Sequence, residues 1–369
     1  MKIEAAVLRQ QGGPFRIETV DLDTPRPDEI LVRNIAVGIC HTDLVIRDQG
    51  IPVPLPVVLG HEGSGIVERV GAAVTKVKPG DKVVMTYHSC GHCPSCYDGA
   101  PAYCANLVPN NFSGRRADGS ATVHQDGIAF SANFFQQSSF ASHSLATERN
   151  TVKVDQQLPL DTLALFGPLG CGIQTGAGAV LNSLRPRAGS TLAVFGVGSV
   201  GLSAIMAARL AGCAVIVAVD LNEERLELAK SLGATHTVNA RAVDAVDFIR
   251  AATGGAGADF SLEMTASPKV LRQAVECLHT RGVCGLIGLP PAGTEVALDM
   301  ASILFGRTLK GIIEGDSVPE IFINRMITLY QQDRFPIDRI MRHYRFDQIN
   351  TAVDDTEDGL AIKAVLRIS

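Results

Sequence analysis

The sequence predicts an α/β chain in two parts, a mostly-β domain and a doubly wound parallel sheet. Three observations predict it. Up to about residue 90, short β-type runs such as residues 30–37 and 82–85 are broken by Gly and Pro, the spacing of an antiparallel sheet or partly open barrel. From Thr191 onward, strand-length apolar runs alternate with helix-length segments, the pattern of a parallel sheet covered on both faces. Where the first of those strands meets the first helix stands Gly196-Val197-Gly198-Ser199-Val200-Gly201, a glycine turn suited to a tight strand-to-helix passage.

The elements follow in order. Residues 105–150 are polar and turn-rich, with phenylalanines at 112, 130, 134, 135 and 140; so long a stretch without periodicity reads as a functional loop region rather than a linker. Residues 192–195 form a strand, 200–210 a helix, and 214–219 a second strand ending at Asp220. A helix over 223–232 places Leu226, Ala229 and Lys230 at helical spacing. Strand 260–264, helix 268–278 and strand 283–288 continue the alternation, and a helix over 318–331 precedes terminal strands expected to return to the first domain. At ~150 residues per domain, 369 residues predict two domains.

Composition narrows the function. An apolar share of 46% and a charged share of 19% fit a globular enzyme. A net charge of −5 argues against nucleic-acid or membrane partners. The N-terminus is too polar for a signal peptide and no apolar run reaches the ~18 residues of a membrane span, so a cytoplasmic location is expected. Among nine cysteines, Cys213, Cys277 and Cys284 sit in apolar stretches and read as buried thiols.

Cys90-x2-Cys93-x2-Cys96-x7-Cys104 supplies four thiolates in one loop. Zinc takes four sulfurs tetrahedrally in closed, structural sites. A nucleic-acid-gripping ribbon would want a basic surface, for which Arg115 and Arg116 are poor support, and an iron–sulfur cluster uses the same ligands. Cys40, His61 and Cys171 are the residue types of an open catalytic zinc, with a fourth position for water or substrate. Around them, Thr42 can hydrogen-bond the reacting oxygen, Asp43 can accept the second ring N–H of His61, and Glu62 is a neighbour able to approach the metal transiently. The glycine turn Gly196, Gly198, Gly201 with Val200 opens a helix, and Asp220 follows Gly196 by 24 positions. Together they read as a dinucleotide cradle with a ribose acceptor. A 2′-phosphate against that carboxylate meets repulsion of roughly 4 kcal/mol per unit charge at ~4 Å, so NAD is expected rather than NADP. Open zinc with a nicotinamide means hydride transfer from an alcohol.

Gly60-His61-Glu62-x2-Gly65-x5-Gly71-x2-Val74 resembles the signature of zinc-containing alcohol dehydrogenases in the medium-chain dehydrogenase/reductase family. The resemblance implies a GroES-like catalytic domain over 1–172 and 312–369, with a structural zinc lobe at 90–104, and a Rossmann NAD-binding domain over 173–311. It implies two zinc ions per chain, and a homodimer or homotetramer paired along the edge near Gly306 to Glu314. By the same resemblance, His41 and Lys363 meet the pyrophosphate, Thr175 the nicotinamide and Arg225 the adenosine ribose. Ile51, Tyr87, Phe134, Phe135, Leu289 and Ile313 match the substrate pocket. Val45 stands where many members end a proton relay in histidine. The segment Gly167 to Gly176 and Cys40-His41-Thr42-Asp43 look most like bacterial aryl-alcohol dehydrogenases, whose relatives take geraniol or perillyl alcohol. An apolar alcohol or aldehyde is thus the expected partner. A polyol enzyme, with an acid in place of the third zinc ligand, fits less well. So does a glutathione-dependent formaldehyde enzyme with a basic pocket, or a non-catalytic relative lacking the zinc ligands.

Overall fold

In the computed structural model, which describes residues 1–368, the chain divides into two compact units. One is Met1–Gly172 with the C-terminal segment from Val318, and the other is Ile173–Ser317. The second unit extends past the expected boundary at residue 311. Its strand Thr308–Gly311 leads into a turn in which Gln174 Nε2 donates to Glu314 and Asn182 donates to the Gly315 carbonyl. Those bonds keep residues 312–317 with the second unit.

The first unit is built on two sheets. A five-stranded antiparallel sheet runs in the order Val57–Val58, Lys2–Leu8, Phe15–Leu22, Val123–Gln125, Ile128–Phe130. The other sheet centres on Glu29–Gly38, which pairs antiparallel with Glu62–Val70, His143–Thr147 and the C-terminal Lys363–Arg367. Its central strand is buried along nearly its whole length, on both faces, with Glu29 and Asn34 among the buried residues. The pairing of Gly38 with both Glu62 and Val365 sets the beginnings of two functional segments beside one strand end.

Residues 105–150 are not loop alone. They contribute three of those strands, and Phe130, Phe134, Phe135 and Phe140 are buried in the unit's main core with Phe112 packed against it. The polar residues that hid this order satisfy backbone groups in the interior: buried Asn150 donates to the Phe135 and Gln136 carbonyls, and Asn111 donates to that of His88.

The second unit is a six-stranded parallel sheet. In space the strands run His236–Asn239, Val215–Asp220, Thr191–Phe195, Ala258–Glu263, Leu278–Leu286, Thr308–Gly311. In chain order this is 3-2-1-4-5-6, the dinucleotide-binding arrangement. The helices Ser199–Leu210, Glu223–Leu232 and Pro268–Glu276 stand where expected. Strand His236–Asn239 and helix Ala245–Ala252 have no counterpart in the sequence reading. The strand is too polar to show an apolar run, and the helix is short. Cys277 and Cys284 are fully buried, but Cys213 keeps partial access to solvent, a correction to its reading as a buried thiol. No helix among the described residues is long and apolar enough to cross a membrane.

Candidate active site and metal centres

Cys40, His61, Glu62 and Cys171 come together, with one potential ligand atom from each within 4.8 Å of the others. Cys40 caps the helix His41–Arg47, His61 immediately precedes the strand Glu62–Val70, and Cys171 ends the turn Gly167–Gly170. Asp43, fully buried on the first turn of that helix, binds two of these segments. Its carboxylate accepts from the Cys40 backbone N–H at 3.0 Å and the Gly60 N–H at 3.1 Å, and lies 3.0 Å from His61 Nδ1. This leaves His61 Nε2 as a buried atom with no hydrogen-bond partner. An orphaned ring nitrogen beside two sulfurs fits a zinc ligand set with its tautomer fixed from behind. Burial pulls the His61 pKa down, but the Asp43 carboxylate and the Cys40 sulfur outweigh it and hold the ring well above its ordinary value. The Cys40 thiol is pushed well below its usual value, chiefly by its hydrogen bond with Cys171 and against burial. So strong a preference for positive charge among buried anions also suits a divalent cation.

Lys363 has a partner that the sequence reading did not name. Its ammonium is buried and donates to both oxygens of Glu62, at 2.9 and 3.0 Å, and to the Ile39 carbonyl at 3.0 Å. Three protons meet three acceptors, so a pyrophosphate would compete with Glu62 for this ammonium. Burial raises the Glu62 carboxyl to about 7 against the pull of Lys363. The same carboxylate accepts the Gly172 N–H at 3.0 Å. The Glu62–Lys363 pair thus ties the neighbour of Cys40 to the neighbour of Cys171. No local pattern in the sequence announces it, because 301 residues separate the partners.

Aromatic rings enclose His61. Phe135 stacks on it with centroids 4.4 Å apart at 25°, Phe134 meets it edge-on at 5.2 Å, and Phe112 packs edge-on against both phenylalanines. Phe134, Phe135 and Tyr87 are all buried, while Ile51 packs at the margin of this core. Leu289 and Ile313 lie in the other unit and are 50% and 43% exposed. Thr42 Oγ1 is 3.8 Å from the Cys40 sulfur. His41, on the same helical turn, is exposed.

Cys90, Cys93, Cys96 and Cys104 also converge, with their sulfurs within 4.8 Å of one another, and none is in a disulfide. Backbone N–H groups of Cys90 and Asn106 donate to the Cys104 sulfur, and that of Ala105 to Cys93. The bond from Ala105 leads those that lower the Cys93 thiol to about 6, whereas burial raises Cys104 to about 11. N–H donors aimed at sulfur suit thiolates bound to a cation. Nearby Arg116 is buried against Glu29 and Asp23.

The dinucleotide turn has the geometry its glycines require. Gly196 has φ +89°, and a Cβ on Gly201 would stand 2.1 Å from the Gly196 carbonyl oxygen, whereas one on Gly198 would meet only open space. The helix after it starts at Ser199, with Ser199 and Val200 partly exposed, a terminus suited to a pyrophosphate. Asp220 accepts backbone N–H bonds from Val197, Leu221 and Asn222. That leaves a lone-pair direction for a ribose hydroxyl. Arg225 Nε is buried without a partner, and Thr175 Oγ1 lies 3.4 Å from Glu314.

Known proteins resemble this chain along its length. The profile for the alcohol dehydrogenase GroES-like domain matches residues 26–156, and that for zinc-binding dehydrogenases matches 199–332. A geraniol dehydrogenase of Castellaniella defragrans is 50% identical over 98% of this chain and 97% of its own length. The crystal structure of benzyl alcohol dehydrogenase from Acinetobacter calcoaceticus superposes with a TM-score of 0.96 at 44% identity, covering 100% of both chains. A zinc-binding dehydrogenase of Sinorhizobium meliloti 1021 bound to NADP gives a TM-score of 0.82 at 25% identity, again over 100% of both chains. The chain belongs to the zinc-dependent alcohol dehydrogenases of the medium-chain dehydrogenase/reductase family.

Proposed function

We propose that this alcohol dehydrogenase oxidises primary aromatic or allylic alcohols, of the benzyl alcohol type, to aldehydes with NAD. The observation that carries the reading is the aromatic wall about His61, with Phe135 stacked on the ring and Phe134 and Phe112 edge-on behind it. A substrate ring burying about 100 Å² more than ethanol gains roughly 2.5 kcal/mol, close to 100-fold in rate. Monoterpene alcohols such as geraniol and perillyl alcohol form the second reading, supported by the 50%-identical geraniol dehydrogenase.

Cys40, His61 and Cys171 would hold the catalytic zinc, and the four-cysteine lobe a structural one. Bound zinc acidifies a hydroxyl and bound nicotinamide accepts hydride. The chain orients the partners. Asp43 keeps the Nδ1 proton so that Nε2 is the donor atom, the apolar wall excludes water, and Thr42 Oγ1 is the first atom to take the hydroxyl proton. Asp220, oriented by three N–H bonds, disfavours a 2′-phosphate and supports NAD, although the S. meliloti relative binds NADP. Exposed Met300, Leu304 and Phe305 beside the fully exposed edge strand Thr308–Gly311 support a homodimer or larger homo-oligomer joined there.

The test is kcat/KM with NAD and NADP for benzyl alcohol, geraniol, perillyl alcohol, ethanol and sorbitol. A preference of ~100-fold for bulky alcohols over ethanol is expected. Ethanol or sorbitol ahead would overturn the aromatic-pocket reading, and NADP ahead the cofactor choice.

A further inference from the structure

The segment Phe134–Ser138 is bent in a way bulky residues avoid. Phe135, Gln136 and Ser138 have φ of 51°, 52° and 45°, the left-handed region that is unfavourable for side chains with a Cβ. The bend is held by buried polar groups. Asn150 donates to the carbonyls of Phe135 and Gln136, and Ser138 Oγ accepts from Phe134 N while donating to the Val58 carbonyl. Strain so thoroughly supported marks a segment whose conformation is used. It delivers two things to one place, the Phe135 ring on the His61 imidazole and the Gln137 side chain behind His61.

Gln137 is 1% exposed and all its amide groups are engaged. Nε2 donates to the His61 carbonyl at 2.9 Å and the Thr86 carbonyl at 3.1 Å, while Oε1 accepts the Gly63 N–H at 3.2 Å. Thr86 Oγ1 in turn donates to the Gly170 carbonyl at 2.6 Å, one residue before Cys171. A continuous hydrogen-bonded path therefore runs from His61 through Gln137 and Thr86 to the Cys171 segment. Asp43 already joins Cys40 to His61, and the Glu62–Lys363 pair joins the neighbours of Cys40 and Cys171. The path through Gln137 closes the third side of the triangle.

We propose that Gln137 and Thr86 are positioning residues that lock His61 against the Cys171 segment and so set how slowly the catalytic zinc is released. The proposal rests on the zinc reading above. Partners that orient metal ligands typically change affinity by ~10–100-fold when removed. The Gln137→Glu side chain is nearly isosteric, keeps the acceptor for Gly63, and sets an oxygen against the two carbonyls. Thr86→Val removes only the hydroxyl, and Thr86→Ser restores it.

Zinc is first counted in the wild-type enzyme, and its transfer to a chromogenic chelator is then followed. The four-cysteine lobe serves as an internal reference, assigned with a Cys96→Ser variant. Catalytic zinc is expected to leave about tenfold or more faster from Gln137→Glu and Thr86→Val, with the lobe's rate unchanged and Thr86→Ser close to wild type. If Gln137→Glu does not fold, the Thr86 pair decides. Release within twofold of wild type, or both metals accelerating together, overturns the proposal. A wild-type chain with no zinc at Cys40, His61 and Cys171 overturns the metal reading instead.

Discussion

The two cysteine clusters hold comparable ligand atoms at comparable separations, yet they are built in opposite ways. The lobe at Cys90–Cys104 draws four sulfurs from fifteen consecutive positions and supports them with the loop's own N–H groups. The cluster at Cys40, His61 and Cys171 draws its atoms from three distant segments. It is held by charged and amide side chains that are themselves buried: Asp43, Glu62, Lys363 and Gln137. On the proposed reading the first is a local staple, whose loss should be felt in folding. The second is assembled by the fold and carries an orphaned nitrogen and a carboxylate at its edge, features a closed structural site does not need.

The largest effect expected from this contrast comes from removing one sulfur in each cluster. Cys171→Ser should lower kcat/KM by ~10³–10⁴-fold, about 4–5.5 kcal/mol, while any zinc proposed for the lobe should be retained. Cys96→Ser should act mainly on stability, because metal binding in such loops is folding free energy; a loss of about 3 kcal/mol lowers Tm by roughly 4–6 °C in a chain of this size. Metal content, kinetics and melting of both variants check this. Equal effects of the two substitutions on Tm and on kcat would remove the distinction between staple and active centre.

The same contrast explains what could be read from the sequence. The lobe was legible because its spacing is local, and the parallel sheet was legible because strand and helix periods alternate from Thr191 to Leu286. The cradle at Gly196–Gly201 was legible for the same reason. The support of the other cluster was legible only in part. Asp43 lies three residues from Cys40 and falls within a motif, but Lys363, Gln137 and Thr86 act across 301, 76 and 84 residues. The Glu62 partner of Lys363 was not legible because a lysine near the C-terminus shows nothing of the carboxylate it meets once Lys363–Arg367 pairs beside Gly38. Residues 105–150 misled for a related reason. Their Asn, Gln and Ser read as solvated loop but are buried and bonded to backbone.

A smaller effect sharpens the contrast from within the assembled cluster. Asp43→Asn preserves shape but removes the charge facing His61. The ring then loses the carboxylate that chiefly opposes burial in holding its pKa up, and with it the partner that orients Nδ1 and makes Nε2 a stronger ligand. Zinc affinity at this site should fall ~10–100-fold, while the lobe binds as before. Zinc titration monitored separately at the two sites checks it. Unchanged affinity would mean that Asp43 serves only to shape the backbone at Cys40 and Gly60.

The smallest effect concerns the proton's exit. Thr42 and Val45 lie three apart on the helix His41–Arg47 and so share a face. Valine there carries no proton. The groups nearby are already engaged or exposed: Arg47 is paired with Asp48 and Glu357, and His41 is exposed. Wild-type oxidation should therefore rise steadily toward high pH, as solvent hydroxide takes the proton. Val45→His places an imidazole, with an ordinary pKa near ~6.5, one helical turn from Thr42. Above that value the neutral ring accepts the proton, so oxidation near pH 7 should rise about 3–10-fold, a fraction of what a well-placed general base supplies. Near pH 9 the two enzymes should converge, since hydroxide then suffices in both. Superimposable pH profiles would mean that the proton leaves by another route, with exposed His41 the next group to replace.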